Sequence, residues 1–273
     1  MEFKFSLAHL TILKTTPVEL ARIAAVCGYD YVSIRQIYMG VPGEERYALY
    51  DDPDMKAEVK AIFRDTGLKL SDIELARVLD NMDVSAYEKA FELARELGGS
   101  HVLSSIWTEN KPYYIEKFGE ICDLAKKYDL TVDLEYVPIA GVRTLAQAME
   151  VLRAVNRDNA GLMVDTHHFQ RARDKYEDLR AVPDKYFHFA HLCDATGEIP
   201  AERDELVRIM REERLYAGEG GIDIAAILNC MPPMTYSIEL PNAARVAELG
   251  QQGHAKRCLE TAKEYCEKYV SGR

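Results

Sequence analysis

The chain has 273 residues, 48% of them hydrophobic and 29% charged, which supports a sizeable core and excludes a disordered or low-complexity protein. Asp and Glu number 45 against 34 Lys and Arg, a formal net charge of −11. No basic cluster offsets this charge, so a phosphate backbone is repelled and nucleic acid is not expected as a partner.

Short apolar runs alternate with longer amphipathic segments from one end to the other. The first strand is expected at Phe3–Ala8, with His9 as a polar strand-end residue. Thr16-Pro17-Val18-Glu19 then reads as a capping box with Pro at the first helical position, and Gly28 as a stop. After a second strand, Tyr31–Ile34, Asp52-Pro53 opens a helix with Val59, Ile62 and Phe63 inward and Gly67 at its end. Leu70–Glu74 is the third strand, and Ser85-Ala86-Tyr87-Glu88 reads as a second capping box ahead of Ala90, Phe91, Ala94 and Leu97. His101–Ser105 and Thr131–Glu135 follow as strands four and five, with Tyr113 and Tyr114 read as surface or interface aromatics. Thr144-Leu145-Ala146-Gln147 repeats the cap before Met149, Leu152 and Val155. Gly161–Asp165 and Phe187–His191 are strands six and seven. The polar stretch Asp194–Gly221, with a charged helical segment Glu202–Glu213, is an insertion at about residues 195–221, either decorative or a lid over substrate. Tyr236–Leu240 is strand eight, and the helix Ala243–Tyr269 is expected to pack Val246, Leu249, Leu259, Ala262 and Cys266 on the exterior.

Eight strand–helix units in about 250 residues point to a parallel sheet closed into a single (β/α)₈ TIM barrel. An open doubly wound sheet shares the alternation, but no G-x-G-x-x-G or Walker A sequence follows any strand. The six cysteines form no C-x-x-C pair, which fits reduced thiols and a cytoplasmic setting. No signal-peptide pattern opens the chain and no window of about 18 apolar residues occurs, so neither secretion nor a membrane span is expected.

Four residues close consecutive apolar strands: Glu135 ends TVDLE, Asp165 ends GLMVD, His191 ends FHFAH and Glu239 nearly ends TYSIEL. Taken singly, an acid there is a helix cap and a His a satisfied polar group. At four adjacent strand tops they converge on the barrel mouth, a set suited to one divalent cation, Mn²⁺, Mg²⁺ or Co²⁺, with Zn²⁺ also admitted.

LEYVP, VDTHH, HLCD and IELP, in that order, resemble the xylose-isomerase-like TIM barrels of the sugar isomerase/epimerase superfamily. Asp165 with His168 matches the family's D-x-x-H, and His191 with Asp194 its H-x-x-D. Arg214 to Leu228 resembles its R-x-x-P-G-x-G-x-(I/L)-D segment, with Ala217 in place of Pro. The resemblance implies that Glu135, Asp165, His191 and Glu239 bind the metal. It implies further that Glu135 and Glu239 act as an acid/base pair, with His168 donating to a substrate oxygen. His167 is expected to point elsewhere along an extended chain. Such a metal, chelated by a carbonyl and its neighbouring hydroxyl, polarises the C=O and stabilises the enediolate left by α-proton removal. The implied activity is isomerisation or epimerisation of a small sugar, sugar acid or polyol ketone. The alternative is a dehydratase of the 3-dehydroshikimate or inosose type, and a metal-dependent endonuclease is disfavoured by charge and by only seven histidines.

Most members carry a Glu at the end of strand two, where this chain has Ser33-Ile34-Arg35-Gln36. Arg35 therefore either contacts an acidic substrate or pairs with Glu74. Trp107 either stacks on a sugar face or packs under a loop, and Arg214 is a candidate substrate ligand. A homo-oligomer is admitted because many relatives dimerise.

Overall fold

The computed structural model describes residues 2–40 and 44–271. Eight parallel strands close in chain order into a barrel: β1 (Lys4–Ala8), β2 (Tyr31–Arg35), β3 (Lys69–Val78), β4 (His101–Ile106), β5 (Thr131–Glu135), β6 (Ala160–Asp165), β7 (Phe189–Leu192) and β8 (Thr235–Ile238). Each expected strand is present, and β3 runs four residues beyond its expected end at Glu74.

The helices between them start where their caps dictate. Thr16 accepts from Glu19 N–H and Glu19 reaches back to Thr16, so α1 (Pro17–Cys27) begins with a complete capping box; Gly28, at φ +87°, ends it. Asp52 caps α2 (Pro53–Thr66), whose Val59 is fully buried. The cap expected at Ser85 does not form. Asp83 accepts from Ser85 N–H, initiating a 3-10 turn over Val84–Tyr87, and α3 (Glu88–Glu96) follows with no side-chain cap. Asn110 caps α4 (Lys111–Lys126), and Tyr114 is buried against the barrel rather than at the surface. Thr144 caps α5 (Leu145–Val155), although Gln147 reaches back to Arg143 N–H rather than to Thr144. Then come α6 (Thr166–Ala172), α7 (Tyr176–Arg180), α8 (Arg203–Glu212), α9 (Ile224–Leu228) and α10 (Ala243–Tyr269). Gly250 interrupts α10 at φ +69°, and Leu249 beside it is 43% exposed instead of packed inward; Leu259, Ala262 and Cys266 are buried as expected.

The main core lies between the sheet and the helices. A second, small apolar cluster, Leu75, Leu103, Met163 and Phe189, fills the barrel interior. Every second residue of β5 points inward, so Asp133 and Glu135 occupy successive interior levels, about 7 Å apart along the strand. None of the six cysteines forms a disulfide among the described residues. Among the described residues, no helix is long and apolar enough to cross a membrane.

Candidate metal centre and active site

Glu135 and Asp165 are the last residues of β5 and β6, His191 lies near the end of β7, and Glu239 follows β8 directly. One ligand atom from each lies within 4.8 Å of all the others, and all four side chains are buried. His191 Nδ1 stands 3.7 Å from Glu135 Oε1, 3.9 Å from Asp165 Oδ2 and 3.5 Å from Glu239 Oε2. Glu135 Oε1 and both ring nitrogens of His191 lack hydrogen-bond partners. Buried polar atoms are ordinarily satisfied. Three carboxylates and an imidazole, aimed at one point with donor atoms left over, fit a divalent cation.

The crowding also shows in the titration of these groups. Burial, and next the charge of Glu239, hold the Glu135 carboxyl well above the usual carboxylate range. Burial works against the His191 imidazolium, but Glu239, Glu135 and Asp165 together push it up to about 10. For Glu239, burial is outweighed by His191 and Arg214, which hold the carboxyl down at about 2. Asp165 serves two roles: Oδ1 accepts from His167 N–H as the cap of α6, while Oδ2 faces the centre.

Arg214 comes from the insertion, which is sewn to the barrel by pairing of Asp194 with Leu215 and by Arg214 N–H on Pro241 O. Its side chain is 1% exposed; Nη1 donates to Asp165 Oδ2 at 2.7 Å, and Nη2 stands 3.0 Å from Glu239 Oε2. The guanidinium thus clamps two members of the quartet, a role that position in the sequence did not signal. Asp194 organises the same loop by accepting from the N–H groups of Ala195, Gly218, Gly220 and Ile222. A Cβ on Gly220 would collide with Ala195 O and the Asp194 carboxylate, which accounts for the glycine there.

Arg35 does pair with Glu74: Nε and Nη2 reach Glu74 Oε2 at 3.3 and 3.1 Å, and both residues line the cavity. His9, buried, accepts from Arg35 N–H at Nδ1 and donates from Nε2 to Thr15 O. Beneath Arg35, Ser33 Oγ lies 2.5 Å from Asp72 Oδ2 and 2.9 Å from Glu74 Oε1. A hydroxyl carries one hydrogen, so for both contacts to be hydrogen bonds one of the two carboxyls must itself donate a proton to Ser33. Burial, and next the Glu74 charge, push the Asp72 carboxyl up to about 7. Between about pH 4 and 7 the folded chain therefore holds a proton that the unfolded chain releases, and stability is lost as pH rises through 7. Asp72→Asn, neutral at every pH, is expected to raise the unfolding temperature at pH 8, by up to about 4 kcal/mol of stability, and to leave it unchanged at pH 4. Equal melting temperatures at pH 8 would refute this account.

The cavity above the quartet has a volume of about 430 Å³. Trp107 lines its wall with Nε1 tied to Ser105 Oγ at 2.8 Å, and Val207, Met210 and Arg211 of α8 line it from the insertion. His168 Nε2 stands 3.7 Å from Glu135 Oε1 and 3.8 Å from Asp165 Oδ2, and burial pushes its imidazole down to about 4, leaving it neutral at pH 7. His167 does not lie on an extended chain opposite His168: both fall in the first turn of α6, with rings 5.2 Å apart, edge to face. The contributions of Ser33, Asp72, Ser105 and the α8 side chains have no motif in the sequence that marks them.

The chain matches the family described as xylose isomerase-like TIM barrel over residues 21–262. It is 27% identical over 267 residues to the inosose isomerase of Bacillus velezensis, covering 89% of this chain and 88% of that protein. It is 25% identical over 233 residues to the 3-dehydroshikimate dehydratase of Pseudomonas aeruginosa, covering 82% of this chain and 35% of that one. A crystal structure of IOLI protein with a zinc atom superposes with a TM-score of 0.80 at 22% identity, covering 98% of this chain and 100% of that chain.

Proposed function

The chain belongs to the xylose isomerase-like TIM barrel family, and from that premise we propose that it is a divalent-metal-dependent isomerase or epimerase of a small polyhydroxylated ketone. The observation that carries this reading is the convergence of Glu135, Asp165, His191 and Glu239, with partnerless donor atoms, at the floor of a 430 Å³ cavity. The same residues would hold the ion; Mn²⁺, Mg²⁺ and Co²⁺ suit the set, and Zn²⁺ draws support from the zinc atom bound in the IOLI structure. When bound, the ion acts as a Lewis acid on the substrate carbonyl.

The protein's own groups supply the rest. Glu239 is kept ionised by Arg214 and His191, which fits it to take the proton α to the carbonyl. Glu135, the second glutamate of the set, stands across from Glu239 and suits return of the proton to the other face. Neutral His168 donates from Nε2 to the substrate oxygen on which charge develops. The roof from α8 and the apolar side chains of Met39 and Leu103 keep water from the carbanion. The inosose isomerase relatives support proton return over loss.

A second reading, a dehydratase, is favoured by the 3-dehydroshikimate dehydratase likeness and shares the first proton removal. Incubation in D₂O with ketoses, sugar acids and cyclic keto-polyols, inososes included, separates the two by mass. Gain of one deuterium without loss of water is expected; loss of one water supports the lyase, and neither change in any metal-loaded sample refutes both.

A further inference from the structure

The opposite end of the barrel carries a second convergence. His101 opens β4, Asp133 lies midway along β5 and His188 immediately precedes β7, and one ligand atom from each lies within 4.8 Å of the others. Asp133 and His188 meet across β6 because that strand presents Gly161 between them: a Cβ there would collide with the Asp133 carboxylate and the His188 ring. His188 Nδ1 approaches Asp133 Oδ1 at 2.6 Å, and the two imidazoles stack with centroids 5.6 Å apart. Thr131 links the remaining atoms, 2.7 Å from His101 Nδ1 and donating to Asp133 Oδ2 at 2.6 Å.

We propose that His101, Asp133 and His188 form a second divalent-metal site, separate from the quartet and of the zinc-binding kind. Two imidazole nitrogens and one carboxylate oxygen are a donor set that zinc takes with water in the fourth position. Asp133 is wholly buried, and among the described residues its ion-pair partners are those two histidines alone. A buried carboxylate calls for a counter-charge, which the ion supplies. The histidine side chains keep 21% and 22% of their surface exposed, so the ion and its water enter from the N-terminal mouth. Each imidazole would bind the ion through Nδ1 in its neutral form with the remaining proton on Nε2, and a proton passes to solvent only from a ring that was doubly protonated beforehand.

The two centres do not share a ligand. Phe189 lies between them, its ring 5.4 Å from that of His101 and 5.9 Å from that of His191, in one layer with Leu103 and Met163. Nor do they repel. Three carboxylates at −1 each, Arg214 at +1 and a bound dication at +2 sum to zero formal charge at the quartet. An ion below ties β4, β5 and β7 together at the face of the barrel that serves stability.

The test is zinc content by elemental analysis after equilibration with ZnCl₂ and gel filtration, with the melting temperature alongside. Two zinc ions per chain are expected in the wild type, one in Glu135→Gln/Glu239→Gln, and none when His188→Gln is added. Zinc should raise the melting temperature of the double variant and not of the triple. Should His188→Gln fail to fold, His101→Gln at the mouth gives the same reading. A double variant that retains no zinc overturns the proposal, as does one whose zinc survives both histidine substitutions. One zinc in the wild type that is lost on His188→Gln alone would uphold this site while refuting the metal at the quartet.

Discussion

Glu135→Gln/Glu239→Gln is expected to keep its fold, to lose one metal ion per chain and to lose turnover by about 10⁴-fold or more. The amides match the carboxylates in size, so the cavity and its α8 lining are retained. What changes is charge. Each Gln offers a neutral oxygen in place of an anionic one, and the set falls from three carboxylates to Asp165 alone beside His191. Without metal, the substitutions also remove the like-charge contact that holds the Glu135 carboxyl up. They also take from Arg214 and His191 their Glu239 partner, so the metal-free double variant is expected to melt below the metal-free wild type, and an unchanged far-UV circular dichroism spectrum below that midpoint separates loss of function from loss of fold. Unchanged metal content, or turnover within tenfold of wild type, would end the assignment of these glutamates.

The quartet was legible because strand periodicity alone fixes it. A polar residue closing an apolar run of a parallel strand points to the barrel mouth, and Glu135, Asp165, His191 and Glu239 do so on four consecutive strands. The Arg35–Glu74 pair was legible for the same reason, since β2 and β3 are neighbours with those residues in register. The missing parts depend on groups far apart in sequence or on turns set by near ones. Asp83 caps a 3-10 turn by accepting from Ser85 N–H, and Glu88 N–H then goes to Ser85 O instead of the Ser85 side chain, a start that a capping-box pattern does not register. The lower cluster requires that Gly161 leave room on the strand between its members, and a glycine shows no sequence signal for what it admits. Arg214 sits on a loop whose return path is set by Asp194, so its burial against Asp165 could be read only in three dimensions.

That clamp leads to the largest stability effect expected here. Arg214→Met removes the guanidinium while keeping most of its volume, leaving the buried Asp165 and Glu239 without the guanidinium and with only the His191 ring against them. Truncating one partner of a buried pair costs about 3–5 kcal/mol, because the remaining charge cannot be solvated. For a chain of this size that corresponds to a fall of roughly 10 °C in melting temperature. The loss should be smaller with metal present, since a dication at the quartet supplies counter-charge to the same two carboxylates, and binding to the folded state adds its own stabilisation. Arg214→Lys keeps a charge but not the fork that reaches Asp165, Glu239 and the Met210 carbonyl together, so an intermediate loss is expected. Thermal melts of the three proteins with and without ZnCl₂ decide the matter. An Arg214→Met protein that melts with the wild type in the absence of metal would show that the guanidinium does not neutralise the quartet.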